Sequence, residues 1–149
     1  MADNFLYFGY GGALNQTLIE FRVNSPVKML GKGTLKDYAL KFNRKNPDGT
    51  ARGNLIPVEG DYTLGVIYEI DKNKFDLLAQ TEPEYVLTQF DIITDTGIIS
   101  AYSFICHHCE DGILPAQKYI DGIIEYARIQ QFPESYITKI LSGLPKGAI

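Results

Sequence analysis

Three short stretches of this chain carry groups that can do chemistry. The first, Tyr7-Phe8-Gly9-Tyr10-Gly11-Gly12-Ala13-Leu14-Asn15, runs an aromatic segment into a turn with three glycines. Such a turn lets backbone N–H groups point outward together, and next to a helix start it binds a carboxylate or an oxyanion. The same glycines also suit a plain tight turn with positive φ, and the residues leave both readings open. It is not a nucleotide loop, because Leu14 stands where Gly-x-Gly-x-x-Gly needs its third glycine and no Gly-Lys-Ser/Thr follows. The second stretch is Leu78-Ala79-Gln80-Thr81-Glu82-Pro83-Glu84-Tyr85. A carboxylate such as Glu82, expected at the mouth of a barrel among Tyr and Phe rings, is a candidate acid and base. Glu84 competes for that role, and a solvated loop acid is the plain alternative for both. The third is Cys106-His107-His108-Cys109, the only cluster of soft ligands. A tetrahedral zinc site needs ligands from a second place, and the chain has no other Cys or His. The remaining readings are a redox pair or a strand end entering a polar loop. No Gly-x-Ser-x-Gly occurs and the two histidines are adjacent, which argues against a covalent serine triad.

The chain that must position these groups has 149 residues, the size of one domain, read as spanning 1–149. Hydrophobic residues make up 45%, charged residues 21% and aromatic residues 12%, a globular profile that excludes disordered and fibrous classes. Fourteen Lys and Arg against eighteen Asp and Glu give a net charge of −4, so no basic footprint for nucleic acid is present. No apolar run reaches the roughly twenty residues of a membrane span. Met1-Ala2-Asp3-Asn4 lacks the basic start of a signal peptide, and two cysteines this close cannot staple distant segments, so the expected location is cytoplasmic.

Periodicity supplies the elements. Asn4 to Tyr10 reads as a buried strand, and Leu14, Leu18, Ile19 and Arg22 have helical spacing. Thr34 to Asn43 alternates as a strand, Asn46-Pro47-Asp48-Gly49 is a turn, and Gly53–Pro57 and Thr63–Ile70 read as two strands separated by Glu59-Gly60-Asp61. Asp71 caps a predicted helix over Lys72 to Gln80. Val86 to Ile93 and Gly97 to Cys106 form a predicted hairpin. Pro115 starts a predicted helix carrying Tyr119, Ile120, Ile123, Ile124 and Ala127, and a last helix covers Pro133 to Leu141. Ser142 to Ile149 is a tail or a lid. About six strands with three or four helices, two of them consecutive at the end, give an α+β class: a small mixed β-barrel with flanking α-helices. A doubly wound parallel sheet is disfavoured, since helices do not alternate with strands.

Five ordered segments resemble the gamma-glutamylcyclotransferase family, which includes gamma-glutamylamine cyclotransferases and plant avirulence-induced relatives. Phe5 to Leu14 is similar to the family's opening strand and Tyr-Gly-Ser-Asn-Leu loop, and Leu35 to Asn43 to its second strand. Ala51-Arg52-Gly53-Asn54-Leu55-Ile56-Pro57 through Gly65 to Ile70 resembles its Asn-Ile-x-Pro and Gly-Val-Leu-Tyr segments. Leu78 to Glu82 is similar to its Leu-Asp-x-x-Glu-Gly element, and Tyr119, Ile123, Ala127, Phe132-Pro133 and Tyr136 follow its C-terminal pattern. The resemblance implies the fold expected above and a cofactor-free, metal-free reaction on a small gamma-glutamyl substrate. A gamma-glutamyl amino acid or amine would close on itself to 5-oxoproline and expel the free amine. It implies that Glu82 is the acid and base, and that backbone N–H groups from Gly9, Gly11, Gly12, Ala13 and Leu14 hold the carboxylate or oxyanion beside Tyr7 and Tyr10. It further implies a tyrosine from the strand before the 106–109 loop, Tyr102, with Phe104 on the same face as the alternative. Gly12 and Ala13 replace the family's Ser and Asn, Pro83 its glycine and Ala79 its aspartate. The second expectation is accordingly a relative that binds a small acidic or amino-acid ligand, or a partner protein, without turnover.

Overall fold

A computed structural model describes residues 4–144. The start of the N-terminus and residues 145–149 of the expected tail or lid lie outside the described residues. The chain folds as β1 (Asn4–Gly9), a 3₁₀ turn (Gly11–Leu14), α1 (Gln16–Val23), β2 (Lys28–Lys45), β3 (Ala51–Asp71), α2 (Lys72–Gln80), β4 (Tyr85–Thr94), β5 (Gly97–Cys106), α3 (Gln117–Ile129) and α4 (Glu134–Ser142). The strands close into a barrel in the order β1-β3-β2-β4-β5, antiparallel except where β1 runs parallel to β5 with Tyr7 opposite Tyr102. This is the mixed barrel with flanking helices that the element order implied. No helix among the described residues is long and apolar enough to cross a membrane.

Alternation along β1 separates two apolar cores. Phe8 and Tyr10 join Leu35, Leu55, Ile67 and Ile92 in one cluster, whereas Tyr7 belongs to a second cluster with Phe75, Leu78, Ile120 and Ile123 of the helices. Successive side chains of a strand point to opposite faces, so one strand serves both. Phe104 falls in the helix-facing core and Ala101 in the other.

The expected break between two strands at Glu59-Gly60-Asp61 is corrected: β3 is a single strand of 21 residues. The turn signal is real, but it produces a bulge. Lys36 pairs with Tyr62 and Tyr38 with Pro57, so residues 58–61 arch out of the ladder. Asp37, at φ 66°, accepts the Gly60 N–H at 2.9 Å and closes the arch. With β3 continuous, there are five strands among the described residues, where about six were expected. The strand over Thr34 to Asn43 extends at both ends to become β2. The β2–β3 connection is the predicted turn, with Asn46 N–H donating to the Thr50 carbonyl at 2.8 Å. Asp71 caps α2 by accepting from Asn73 N–H. Pro115 does not open α3. It bridges to Ala51 instead, and Ala116 is the residue before the helix.

Candidate functional site

The glycine loop is built by β1 ending against its neighbours. Tyr10 donates its hydroxyl to the Phe104 carbonyl at 2.6 Å, and Tyr68 donates to the Ala13 carbonyl at 2.7 Å. A Cβ at Gly9 would lie 2.8 Å from the Ala13 oxygen, so only glycine lets the turn close this tightly, and Gly11 takes φ of 57°. The Ala13 N–H is bonded to the Tyr10 carbonyl and that of Asn15 to the Gly12 carbonyl, whereas Gly12 N–H closes none of these turns. Asn15 also caps α1, its side chain accepting from Leu18 N–H.

Glu82 sits in the turn that ends α2. Its N–H donates to the Ala79 carbonyl at 3.1 Å and its carbonyl accepts from Tyr85 N–H at 3.2 Å, which fixes the backbone from both sides. Two arginines meet its carboxylate: Arg22 of α1 donates to Oε1 and Arg52 of β3 to Oε2, each at 2.8 Å. The side chain of Glu82 is 7% exposed and each arginine side chain 21%. The Tyr and Phe rings expected around this carboxylate line the same cavity, and two guanidinium groups that were not expected compensate its charge. Both arginines lie in segments read from sequence, but separations of 60 and 30 residues hid the convergence. Glu84 is placed elsewhere. It adopts φ of 69°, its side chain is 65% exposed, and it pairs with Arg44 at 3.1 Å.

Tyrosines frame this ion cluster. Tyr85 donates to the Gly53 carbonyl at 2.7 Å and packs its ring under Arg52, whose guanidinium carbon is 5.4 Å from the ring centroid. Tyr119 of α3 accepts the Gly53 N–H at 2.9 Å. Burial pushes the Tyr85 and Tyr119 phenols upward. Burial works against the charge of Arg52, but Glu82 together with the Tyr85, Tyr119 and Tyr10 phenols outweighs it, and the guanidinium is held more firmly protonated than usual. Tyr7 is 3% exposed, and its hydroxyl makes no hydrogen bond among the described residues. Burial, reinforced by the nearby Glu82 charge, holds Tyr7 far above the ordinary phenol value.

These groups line one cavity of about 390 Å³ between the barrel wall and the helices, in the size range of small-molecule clefts. Of the residues singled out from sequence, Glu82, Tyr7, Tyr10, Gly12 and Ala13 line it together. Gly9, Gly11 and Leu14 are not in its wall, and Leu14 is buried in the helix-facing core. Tyr102 is also absent from it, packing edge-on against Phe5 at 5.3 Å, and Phe104 fills the wall on that side. Sequence reasoning missed the site roles of Arg22, Arg52, Tyr85 and the α3 residues Lys118 and Gly122. An arginine inside a buried strand segment, Ala51-Arg52-Gly53-Asn54-Leu55-Ile56, was the one signal available for Arg52.

The Cys106–Cys109 segment does not reach the cavity. Cys106 is buried and donates its thiol to the His108 carbonyl, and Cys109 donates to the Cys106 carbonyl. Asn54, fully buried, ties this segment to β3 by accepting Cys106 N–H at 2.8 Å and donating to the Cys106 carbonyl at 2.9 Å. Among the described residues no three His, Cys, Asp or Glu side chains converge as metal ligands.

No protein-family model matches the chain, and no curated protein matches it by sequence. Solved structures do match. A gamma-glutamyl cyclotransferase superposes with a TM-score of 0.86 at 22% identity, over 97% of this chain and 90% of that one. An uncharacterized human protein gives 0.85 at 23% identity, over 97% and 90%. YkqA from Bacillus subtilis gives 0.79 at 23% identity, over 97% of this chain and 56% of that one. A closed five-strand barrel, helices packed on one core, and superposition along nearly the whole chain lead to one conclusion: this chain has the gamma-glutamyl cyclotransferase-like fold.

Proposed function

We propose that the protein is a cofactor-free gamma-glutamyl cyclotransferase, with Glu82 as its acid and base. The observation that carries this reading is a carboxylate placed almost out of solvent in the cavity, beside a buried phenol with no internal partner. The reaction needs no outside nucleophile. The α-amine of the gamma-glutamyl group attacks its own γ-carbonyl carbon, a ring C–N bond forms, and the amide C–N bond to the leaving amine breaks. One proton moves from the attacking nitrogen to the departing one. Glu82 relays that proton: each of its oxygens accepts one arginine N–H and keeps a second lone pair. The arginines hold the carboxylate in place and offer their other N–H groups to the substrate's α-carboxylate. Tyr7 and Gly12 line the cavity, and in this reading the Tyr7 hydroxyl and the Gly12 N–H serve as donors for the oxyanion. Holding amine and carbonyl together in one cleft supplies the orientation on which an intramolecular closure depends.

A second reading has its own support. Both oxygens of Glu82 are already paired with guanidinium groups, which equally suits a site that binds a small carboxylate ligand without turning it over. Chromatography separates the two. The purified protein is incubated with gamma-glutamyl amino acids and gamma-glutamyl amines, and 5-oxoproline is followed against time. Catalytic release supports the cyclotransferase; calorimetric binding without release supports the binder.

A further inference from the structure

Gly122 is the sixth residue of α3, in the middle of a 13-residue helix, where glycine weakens the helix relative to alanine. Most of the other described glycines have local reasons. Those at 9, 33 and 65 would place a Cβ less than 3.0 Å from a neighbouring atom, and those at 11, 31, 49, 60, 97 and 112 have positive φ. Gly122 has neither reason. Its φ is not positive and a Cβ built on it would meet no heavy atom within 4 Å, a combination no other described glycine shows. What lies in front of it is the cavity that holds Glu82.

The helix spacing defines the shape of that opening. Lys118, Gly122 and Tyr126 are four residues apart and form one stripe on α3, and all three line the cavity. The glycine is a gap between a lysine and a tyrosine. Tyr119 and Ile123, on the neighbouring stripe, pack against the glycine loop and β3, so α3 is fixed in place and cannot move in to fill the gap. Lys118, at one end of the stripe, is exposed, whereas Glu82 in the same cavity is buried. A substrate with its amine and γ-carbonyl at Glu82 would direct its other half along this stripe.

We propose that the gap at Gly122 receives the side chain of the leaving amine, and that Gly122 sets how large this group can be. The proposal rests on the cyclotransferase reading above. It names the substrate class as gamma-glutamyl derivatives of amines or amino acids that carry a side chain larger than hydrogen.

The test compares wild type, Gly122→Ala and Gly122→Leu on gamma-glutamyl-glycine, gamma-glutamyl-alanine and gamma-glutamyl-leucine. The readouts are 5-oxoproline release, binding by calorimetry, and Tm. The expected result is a fall of about tenfold or more in the leucine-to-glycine ratio of kcat/KM for Gly122→Leu, with Gly122→Ala between it and wild type. Tm of Gly122→Ala should rise by roughly 2–4 °C, because alanine favours the helix and meets no clash. An unchanged ratio in both variants, with wild type turning over the panel, overturns the gap and leaves the cyclotransferase reading standing. A wild type that binds the panel without release removes the cyclotransferase reading. The binding ratio then judges the gap alone. A wild type that neither releases 5-oxoproline nor binds any panel member overturns both.

Discussion

Arg52 and Glu82 are joined at 2.8 Å although 30 residues separate them in the chain, and Arg22 reaches the other oxygen of the same carboxylate from 60 residues away. The clamp links β3, α1 and the turn after α2, so it supports the fold and forms part of the cavity wall.

Removing one arm of the clamp leaves a buried carboxylate half compensated. Arg52→Met is expected to cost about 1–3 kcal/mol in urea unfolding, below the full penalty of a deeply buried pair, because each guanidinium is partly exposed. Arg22→Met should cost less, since Arg52 also stacks on Tyr85 and Arg22 has no such ring partner among the described residues. Arg52→Lys should not restore wild-type stability, because a lysine lacks the planar stacking group. Equal stability of all three variants and wild type would contradict this.

Tyr7 and Tyr10 differ in what their hydroxyls touch. Tyr7→Phe removes a group without an internal partner and should change stability by less than about 0.5 kcal/mol, while lowering kcat by about tenfold or more if that hydroxyl steadies the oxyanion. Tyr10→Phe removes the 2.6 Å bond to the Phe104 carbonyl and should cost about 1–2 kcal/mol. Thermal unfolding and 5-oxoproline rates together separate the two effects.

Burial raises six phenols, those of Tyr7, Tyr10, Tyr68, Tyr85, Tyr119 and Tyr136. Their folded values lie above the unfolded value of about 10. The stability this represents is fully present below pH 10 and declines as pH rises above it, since the unfolded chain loses those protons first. Absorbance at 295 nm should show a delayed phase that coincides with loss of the near-ultraviolet circular dichroism. Complete ionisation with the fold intact would contradict the burial argument.

Asn54 is a buried amide whose Oδ1 accepts from Cys106 and whose Nδ2 serves Asn43, Cys106 and Cys109. Asn54→Ala leaves several of these groups unpaired inside the protein and should lower stability by about 2–4 kcal/mol. A shift in urea midpoint with unchanged slope would show the loss. A midpoint equal to wild type would mean that the 106–109 segment is held by other contacts.

Local signals carried most of the architecture. Aromatic alternation in β1, the Asp71 cap, the hairpin at Thr94 to Gly97 and the spacing of Ile120 and Ile123 all act within a few residues, and each shows its period or turn chemistry directly. The bulge at 58–61 was misread because its turn residues look the same whether a strand ends or arches, and Asp37, which closes it, lies on another strand. In the site, Glu82 and the glycine loop were visible through the resemblance. The arginine clamp was not, because ion pairs across 30 and 60 residues leave no periodic trace. Tyr102 and Phe104 share a face by parity, and only their heights along β5 relative to the cavity separate them.

The central claim is that Glu82 moves the proton during ring closure. The most direct measurement compares 5-oxoproline release by wild type, Glu82→Gln and Glu82→Asp, with binding of the same gamma-glutamyl substrate followed by calorimetry. The account predicts turnover by wild type, a loss of about a thousandfold or more in kcat for Glu82→Gln with binding retained, and partial activity for Glu82→Asp. Turnover by a folded Glu82→Gln protein at the wild-type rate would contradict it.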